Sequence, residues 1–249
     1  MRVAVEVAGR RRHRWPWATA GVVVIAVVLG GLFWFVVVPN WRPPLGNGER
    51  YGVDVSAHQG RIDWRRVASD DVAFAYIKAS EGGAFTDSRF AENWSGAGEA
   101  GLHRGAYHFF TLCRSGDEQA RHFLAVAPPD PQAMAPAVDL ELAGNCSRRP
   151  PASHVMAELG AFLDIVEAAW GQSALLYVGD DWESRYPVRT TLDRPLWQFR
   201  FLRRPNQDNL RIWQIHGFAH VEGISGRVDL NIMQPTYETS PAPRALTCR

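Results

Sequence analysis

Residues 135–142 read Ala-Pro-Ala-Val-Asp-Leu-Glu-Leu, so that Asp139 and Glu141 alternate with Val138, Leu140 and Leu142. A period of two is the mark of a β-strand, whose successive side chains leave opposite faces. The aliphatic residues then face a packed layer and the two acids face the other way. The same arrangement recurs at Val53-Asp54-Val55 and at Val228-Asp229-Leu230. A buried, unpaired carboxylate is costly, so three strands that aim acids at one face point to a shared wet cleft. The competing account, three unrelated strand-end acids that cap helices or pair with arginine, weakens with each repetition.

Outward from these segments, strand-like and helix-like stretches alternate. Strands are expected at 52–55, 72–77, 105–110, 137–142, 174–178, 196–199, 212–215 and 227–233, with a turn at Gln59-Gly60. Asp87 is expected to cap a helix carrying Phe90, Trp94 and Ala97 that ends near Gly101, and a second helix spans about 116–126. The clearest helix runs from Ser153 to Trp170, with Val155, Leu159, Phe162, Leu163, Val166 and Trp170 in one stripe and Gly171 as its C-cap. The last three strands are separated by loops too short for good helices. About eight strands in such alternation favour an α/β barrel over a doubly wound sheet. In a barrel the C-terminal strand ends converge on one mouth, where Asp54, Asp139, Glu141 and Asp229 would meet.

The formal charge of +1 conceals an uneven distribution. Residues 1–17 carry Arg2, Arg10, Arg11, Arg12 and Arg14 against Glu6, which leaves the remainder net acidic and argues against a nucleic-acid partner. Residues 18–38 form an uncharged apolar run, about 30 Å long as a helix and flanked by Trp15, Trp17 and Trp41. With basic residues before it, this run reads as an uncleaved single-pass signal anchor of the cytoplasmic membrane, N-terminus inside and the rest outside. A cleaved signal peptide is the rival, but its apolar stretch is shorter and ends at a small-x-small site. Residues 39–50 read as a short Pro/Gly linker, 51–236 as the catalytic domain and 237–249 as a flexible tail. Cys113 and Cys146 each follow a predicted strand, so a disulfide between them suits an oxidising compartment, with Cys248 left over. Zinc is the alternative, though no CxxC or HxxxH spacing supports it.

Two carboxyls two residues apart on a strand project to one side, about 7 Å apart at the backbone. Mutual repulsion raises one of them, which then remains protonated and can act as a general acid. Glycoside hydrolysis needs such a pair, and the longer Glu141 is the better candidate to reach a leaving oxygen. By itself D-x-E is a weak signal, since it also occurs in metal sites. Tyr76, Tyr107, Phe109, Phe110, Tyr177, Trp182, Trp197 and Trp213 lie at or near predicted strand ends. They can either fill the core or stack on sugars.

Four segments together resemble glycoside hydrolase family 25, the Chalaropsis-type lysozymes or N-acetylmuramidases. They are YGVDVSAHQGRIDW (51–64), FAYIKASEGGAFTDSRFAENWSGAGEAGLHRGAYHFF (74–110), APAVDLEL (135–142) and IWQIHGFAHVEGISGRVDLNIM (212–233). The resemblance covers about residues 51–234. It implies an irregular TIM-like barrel, (β/α)5(β)3, which would follow the single transmembrane helix expected from the apolar run. It also implies cleavage, with retention, of the β-1,4 bond between N-acetylmuramic acid and N-acetylglucosamine in peptidoglycan glycan strands; a monomer that uses no cofactor or metal is expected. The acid/base falls on Glu141, its companion carboxylate on Asp139 and the flanking acids on Asp54 and Asp229. Asp139 would serve either as nucleophile or as the group that orients the substrate's 2-acetamido. Tyr107, Lys78, Gln214, Phe109 and Trp197 match positions expected to contact substrate, although Lys78 could instead be a structural partner for one of the acids.

Where many members read Leu-Trp-x-Ala-x-Tyr, this chain has Leu196-Trp197-Gln198-Phe199-Arg200-Phe201, which puts the contacts of that subsite in doubt. No wall-binding repeat is expected after the barrel, so localisation falls to the membrane anchor. Two other classes compete. A non-catalytic peptidoglycan-binding domain would have no need of four acids. A metal-dependent amidase or deacetylase built on His58, His103, His108 or His122 lacks ligand spacing.

Overall fold

The structure, a computed structural model, describes residues 15–235. Most of the basic N-terminal segment, the expected tail and Cys248 lie outside the described residues. The chain divides between Trp41 and Arg42 into two compact units.

In the first unit, helix α1 (Trp15–Leu32) continues through a π-helical turn at Phe33–Val37 into α2 (Val38–Asn40). Pro39 has no N–H to offer the carbonyl four residues back, and its ring crowds that carbonyl, which accounts for the widened turn just before it. From Val22 to Val37 the large apolar side chains are exposed on every side of the helix. A helix that is hydrophobic all round is suited to lipid. Among the described residues, Thr19–Asn40 is the one helix long and apolar enough to cross a membrane. At 1.5 Å per residue it would span about 33 Å.

The second unit is a closed barrel. Its strands are β1 (Arg50–Val55), β2 (Val72–Glu81), β3 (Phe85–Thr86), β4 (His103–Phe109), β5 (Ala137–Leu140), β6 (Leu175–Val178), β7 (Leu196–Phe199), β8 (Leu210–Ala219) and β9 (Val228–Met233). Pairing runs β1-β2-β4-β5-β6-β7-β8 in parallel, and antiparallel β9 closes the ring between β8 and β1; β3 is a short hairpin on β2. Helices α3 (Trp64–Ser69), α4 (Phe90–Glu99), α5 (Gly116–Val126), α6 (Ala152–Trp170) and α7 (Asp180–Arg185) each follow one of the first five barrel strands. The last three barrel strands carry none, as the short connections lead one to expect. Residues 42–49 of the expected linker lie against this unit: Arg42 bonds the carboxylate and the carbonyl of Asp70 at 2.6 Å, the Tyr51 hydroxyl bonds the Pro43 carbonyl, and Glu49 pairs with Arg204.

Alternation sorts each barrel strand into an outer and an inner face. Val53, Val55, Val138, Leu140, Val228 and Leu230 are at most 2% exposed and belong to the layer between barrel and helices. Full burial of each stabilises the fold by about 1.5–3 kcal/mol. The interior is closed below the acids by Phe74, Tyr76, Ala137, Leu175, Trp197, Ile212 and Met233. Two glycines make room for this plug. A Cβ at Gly52 would stand 2.3 Å from the Phe74 ring, and one at Gly105 would stand 2.3 Å from the Tyr76 ring.

Three short elements, α3, β3 and α7, are absent from the sequence-based expectation because six residues or fewer carry no readable period. Asp87 does not cap α4. The N-cap is Arg89, and the Asp87 carboxylate instead accepts from Ala57 N at 2.8 Å and Arg89 N at 2.9 Å, tying the turn after β1 to the start of α4. Strand β5 ends at Leu140, so Glu141 stands just past the strand rather than within it.

Two glycine substitutions should therefore have opposite signs in urea unfolding. Gly52→Ala overpacks the barrel floor and should cost about 1–3 kcal/mol. Gly160→Ala, in α6 with nothing within 4 Å of the new methyl, should gain about 0.5–1 kcal/mol.

Candidate active site

At the end of the barrel where the parallel strands finish and antiparallel β9 begins, a cavity of about 220 Å³ is lined by Asp54, Tyr107, Ala137, Val138, Asp139, Glu141, Tyr177, Trp197, Gln214 and Asp229. All four acids singled out in the sequence are there. Asp54 and Asp229 are direct cross-strand partners on β1 and β9, and Asp139 on β5 is flanked by Phe109 on β4 and Tyr177 on β6. A larger groove of about 820 Å³ lies beside α3 and the loop after β8, lined by residues such as Arg61, Arg66, Glu99 and Glu222. Its acids, Asp63, Glu99 and Glu222, are interspersed with Arg61, Arg65 and Arg66, and Arg66 pairs with Glu222.

A hydrogen-bonded chain runs along one wall. Asp54 Oδ1 accepts from Asn231 Nδ2 at 2.7 Å and from Gln214 Nε2 at 3.2 Å. Gln214 Oε1 in turn accepts from the Tyr177 hydroxyl at 2.8 Å, and Asn231 Oδ1 accepts from Trp197 Nε1 at 2.9 Å. Asp54 is thus anchored in orientation. Asp139 is not: its buried Oδ1 accepts no hydrogen bond from the protein.

Crowded, desolvated carboxylates hold their protons. Burial pushes Asp54 up to about 6, against the opposing hydrogen bonds from Asn231 and Gln214. Burial, then the charges of Asp54 and Glu141, push Asp229 up to about 8. Asp139 is held well above the usual carboxylate range by burial and then by Glu141, Asp54 and Asp229, with Lys78 opposing. Glu141 is raised by burial, then by Asp181 and Asp54, while the Tyr177 hydroxyl and Lys78 oppose. The Tyr107 phenol is driven up by burial and by Asp54, Asp139 and Asp229, so it stays a neutral donor. The site combines proton-holding carboxyls with neutral hydroxyl and amide groups, a set suited to general-acid chemistry at a neutral oxygen.

Of the expected substrate contacts, Tyr107, Gln214 and Trp197 line the cavity, whereas Lys78 and Phe109 do not. Lys78 Nζ donates to Glu81 Oε2 at 2.8 Å and lies 5.1 Å from the Phe109 ring centroid, which leaves it a partnered cation at the edge of the site. Phe199, the bulkier departure from the family pattern, is 40% exposed just beyond the cavity residue Trp197. The four histidines weighed as metal ligands are dispersed. His58 bonds Ser56 at 2.9 Å, His103 opens β4 at the opposite end of the barrel, and His122 lies against the Phe85 carbonyl at 3.0 Å. His108 is buried between Ser80 and Gln119 and pushed down to about 3 by burial.

Two site residues were missing from the expected set. Tyr177 was visible only as one of several strand-end aromatics. Asn231 stands two residues after Asp229 on β9, so the alternation that placed the acid inside places the amide inside as well. The expected Cys113–Cys146 disulfide is formed, with Cα atoms 6.2 Å apart, and joins the loops after β4 and β5 at the mouth. Beside it, Asn145 donates to the carbonyls of Phe110 at 2.8 Å and Glu141 at 3.0 Å and accepts from Leu112 N at 2.9 Å. One amide thus laces the two loops together behind the acid.

The sequence profile of Glycosyl hydrolases family 25 matches residues 53–226. The chain is 35% identical over 196 residues to the uncharacterized protein YegX of Escherichia coli (strain K12), covering 76% of this chain and 71% of that protein. Among solved structures, it is similar to a family 25 glycosyl hydrolase from Bacillus anthracis, with a TM-score of 0.70 and 29% identity over 77% of this chain and 91% of that one. It is likewise similar to the bacterial lysozyme from Streptomyces coelicolor, with a TM-score of 0.67 and 27% identity over 75% of this chain and 92% of that one. With these matches spanning the barrel and its acid-lined mouth, the chain belongs to glycosyl hydrolases family 25.

Proposed function

We propose that this chain is a membrane-tethered muramidase that hydrolyses the β-1,4 bond between N-acetylmuramic acid and N-acetylglucosamine in peptidoglycan, with retention of configuration. The convergence of Asp54, Asp139, Glu141 and Asp229 on one cavity at the barrel mouth carries this reading. Kinship with a lysozyme of the same fold supports the substrate class.

In this mechanism Glu141 holds the proton that the glycosidic oxygen needs. It transfers that proton as the anomeric C–O bond breaks, and later takes one from the water that attacks the anomeric carbon. Asp139, with an oxygen that accepts no hydrogen bond from the protein, assists at the anomeric centre, as nucleophile or by holding the 2-acetamido group. Asp54, fixed by Asn231 and Gln214, and Asp229 opposite it set the field around the pair. Tyr107, Gln214 and Trp197 contact the sugar. Lys78, paired with Glu81, tempers the negative charge from the rim. The apolar helix Thr19–Asn40 serves as the anchor, with the barrel outside the cytoplasm, where the wall polymer lies.

The detergent-solubilised chain should lower the turbidity of purified cell walls and release muropeptides with reducing-end muramic acid, read by mass spectrometry. Glu141→Gln should reduce that activity by about 10²–10⁴-fold with an unchanged circular dichroism spectrum; wild-type protein that releases no muropeptide between pH 4 and 8 would end the enzyme reading. Asp229 binds its proton more tightly folded than unfolded, so the folded state carries more protons between about pH 4 and 8 and stability falls as pH rises through that window. Asp229→Asn should therefore raise stability at pH 8 by about 1–2 kcal/mol, and the gain should vanish near pH 4. A phosphatase active only outside the cytoplasm, fused to the C-terminus, should be active in cells.

A further inference from the structure

Glu141 lies beyond the end of β5, so no strand pairing of its own fixes it, and neighbouring loops hold it instead. On one side is Asn145. On the other is the turn that leads from β6 into α7: Gly179 N donates to the Leu140 carbonyl at 2.9 Å, and Asp181 Oδ2 accepts from Leu142 N, the amide just after Glu141, at 3.2 Å. The second oxygen of Asp181 accepts from Trp182 N at 2.7 Å. The site a Cβ would take on Gly179 is 2.7 Å from Asp181 Oδ1 and 3.4 Å from Glu141 Cγ, which puts the carboxylate within about 6 Å of the Glu141 stem. Gly179 is the spacer that permits this approach.

The two adjacent acids of that turn are treated differently. Asp180 is neutralised by Arg189 at 2.8 Å and by Arg200. Among the described residues Asp181 has hydrogen bonds only from backbone amides and no cationic partner, so its charge is left uncompensated beside Glu141.

We propose that Asp181 is a positioning residue for Glu141: it pins the backbone that carries the acid and sets an unpaired carboxylate beside the acid's stem. This rests on the reading of Glu141 as the general acid. The other groups that act on Glu141 are accounted for. Asp54 on β1 and Asp139 and Asp229 in the same cavity also oppose its ionisation, whereas Lys78 on β2 and the Tyr177 hydroxyl on β6 favour it. Arg149 is engaged with the Cys146 and Leu142 carbonyls. Asp181 differs from the other acids in being solvent-exposed and outside the cavity, so it can tune the proton without touching the sugar.

A general acid loses activity as pH rises through its own titration. Removing a neighbouring negative charge lets Glu141 ionise sooner, so the alkaline limb must move to lower pH. In full-length protein acting on cell walls, Asp181→Asn should match wild type at the acidic plateau of kcat/KM and fall about 3–10-fold below it on the alkaline limb. Asp181→Glu should restore part of the limb. Because Asp181 is exposed, the gap should narrow between 0.05 and 0.5 M salt, as expected of a screened charge. Asp181→Ser, which keeps a hydroxyl acceptor but no charge, gives the same reading should the amide disturb α7. An alkaline limb that stays in place in both folded variants, or activity lost equally at every pH, overturns the proposal. Activity surviving in Glu141→Gln would instead overturn the assignment of the acid, a separate outcome.

Discussion

Four carboxyl groups share one small desolvated cavity, and the barrel is arranged to tolerate their repulsion. None of them repays its own burial. Each sits on or beside a strand whose aliphatic neighbours, Val53 and Val55, Val138 and Leu140, Val228 and Leu230, are locked in the outer layer. Turning an acid out to water would turn those side chains out with it, since a slip of one residue flips every side chain on the strand. The hydrophobic layer therefore holds the acids in a place they would not choose, and strained proton affinities follow. Unfavourable terms concentrated at a functional site and offset elsewhere are a recurring feature of enzymes.

The same alternation explains how much could be read from sequence. Periodicity decides which face a residue takes, so the inner position of Asp54, Asp139 and Asp229 followed from their neighbours alone. Asn231 could have been found by the same rule two positions further along β9. The long helix α6 was legible because five turns carry an unmistakable stripe, and the helix-poor last third followed from its short connections. What escaped lies where periodicity does not reach. The extent of β5 depends on pairing with β4 and β6, so the position of Glu141 past its end could not be inferred. Nor could the role of Asp87, whose carboxylate reaches the amide of Ala57, 30 residues away in sequence. The partner of Lys78 is Glu81, three residues away, but helical and strand spacings give conflicting predictions for such a pair until the strand is known.

Loops at the mouth translate the rigid barrel into an adjustable site. The disulfide and Asn145 draw the loops after β4 and β5 together, and the turn after β6 closes on Glu141 from the other side. The acid is thereby held by hydrogen bonds to its backbone neighbours, while its carboxyl is met by the Tyr177 hydroxyl. Asp54, by contrast, is held through the carboxylate oxygen by two amides and has little freedom to rotate. The difference in how they are held parallels a difference in task, since a group that delivers a proton must be able to swing between partners and a group that shapes a field must not.

The affinities of Asp54 and Asp229 for protons, near 6 and near 8, bracket neutrality. The cavity is therefore a small proton reservoir as well as a charged surface. Any guest that expels water from it changes the cost of each remaining charge, and protons must cross between the site and the surrounding buffer as it enters. The heat of association will then include the ionisation heat of whichever buffer supplies them, and the apparent affinity of even an uncharged oligosaccharide becomes linked to pH.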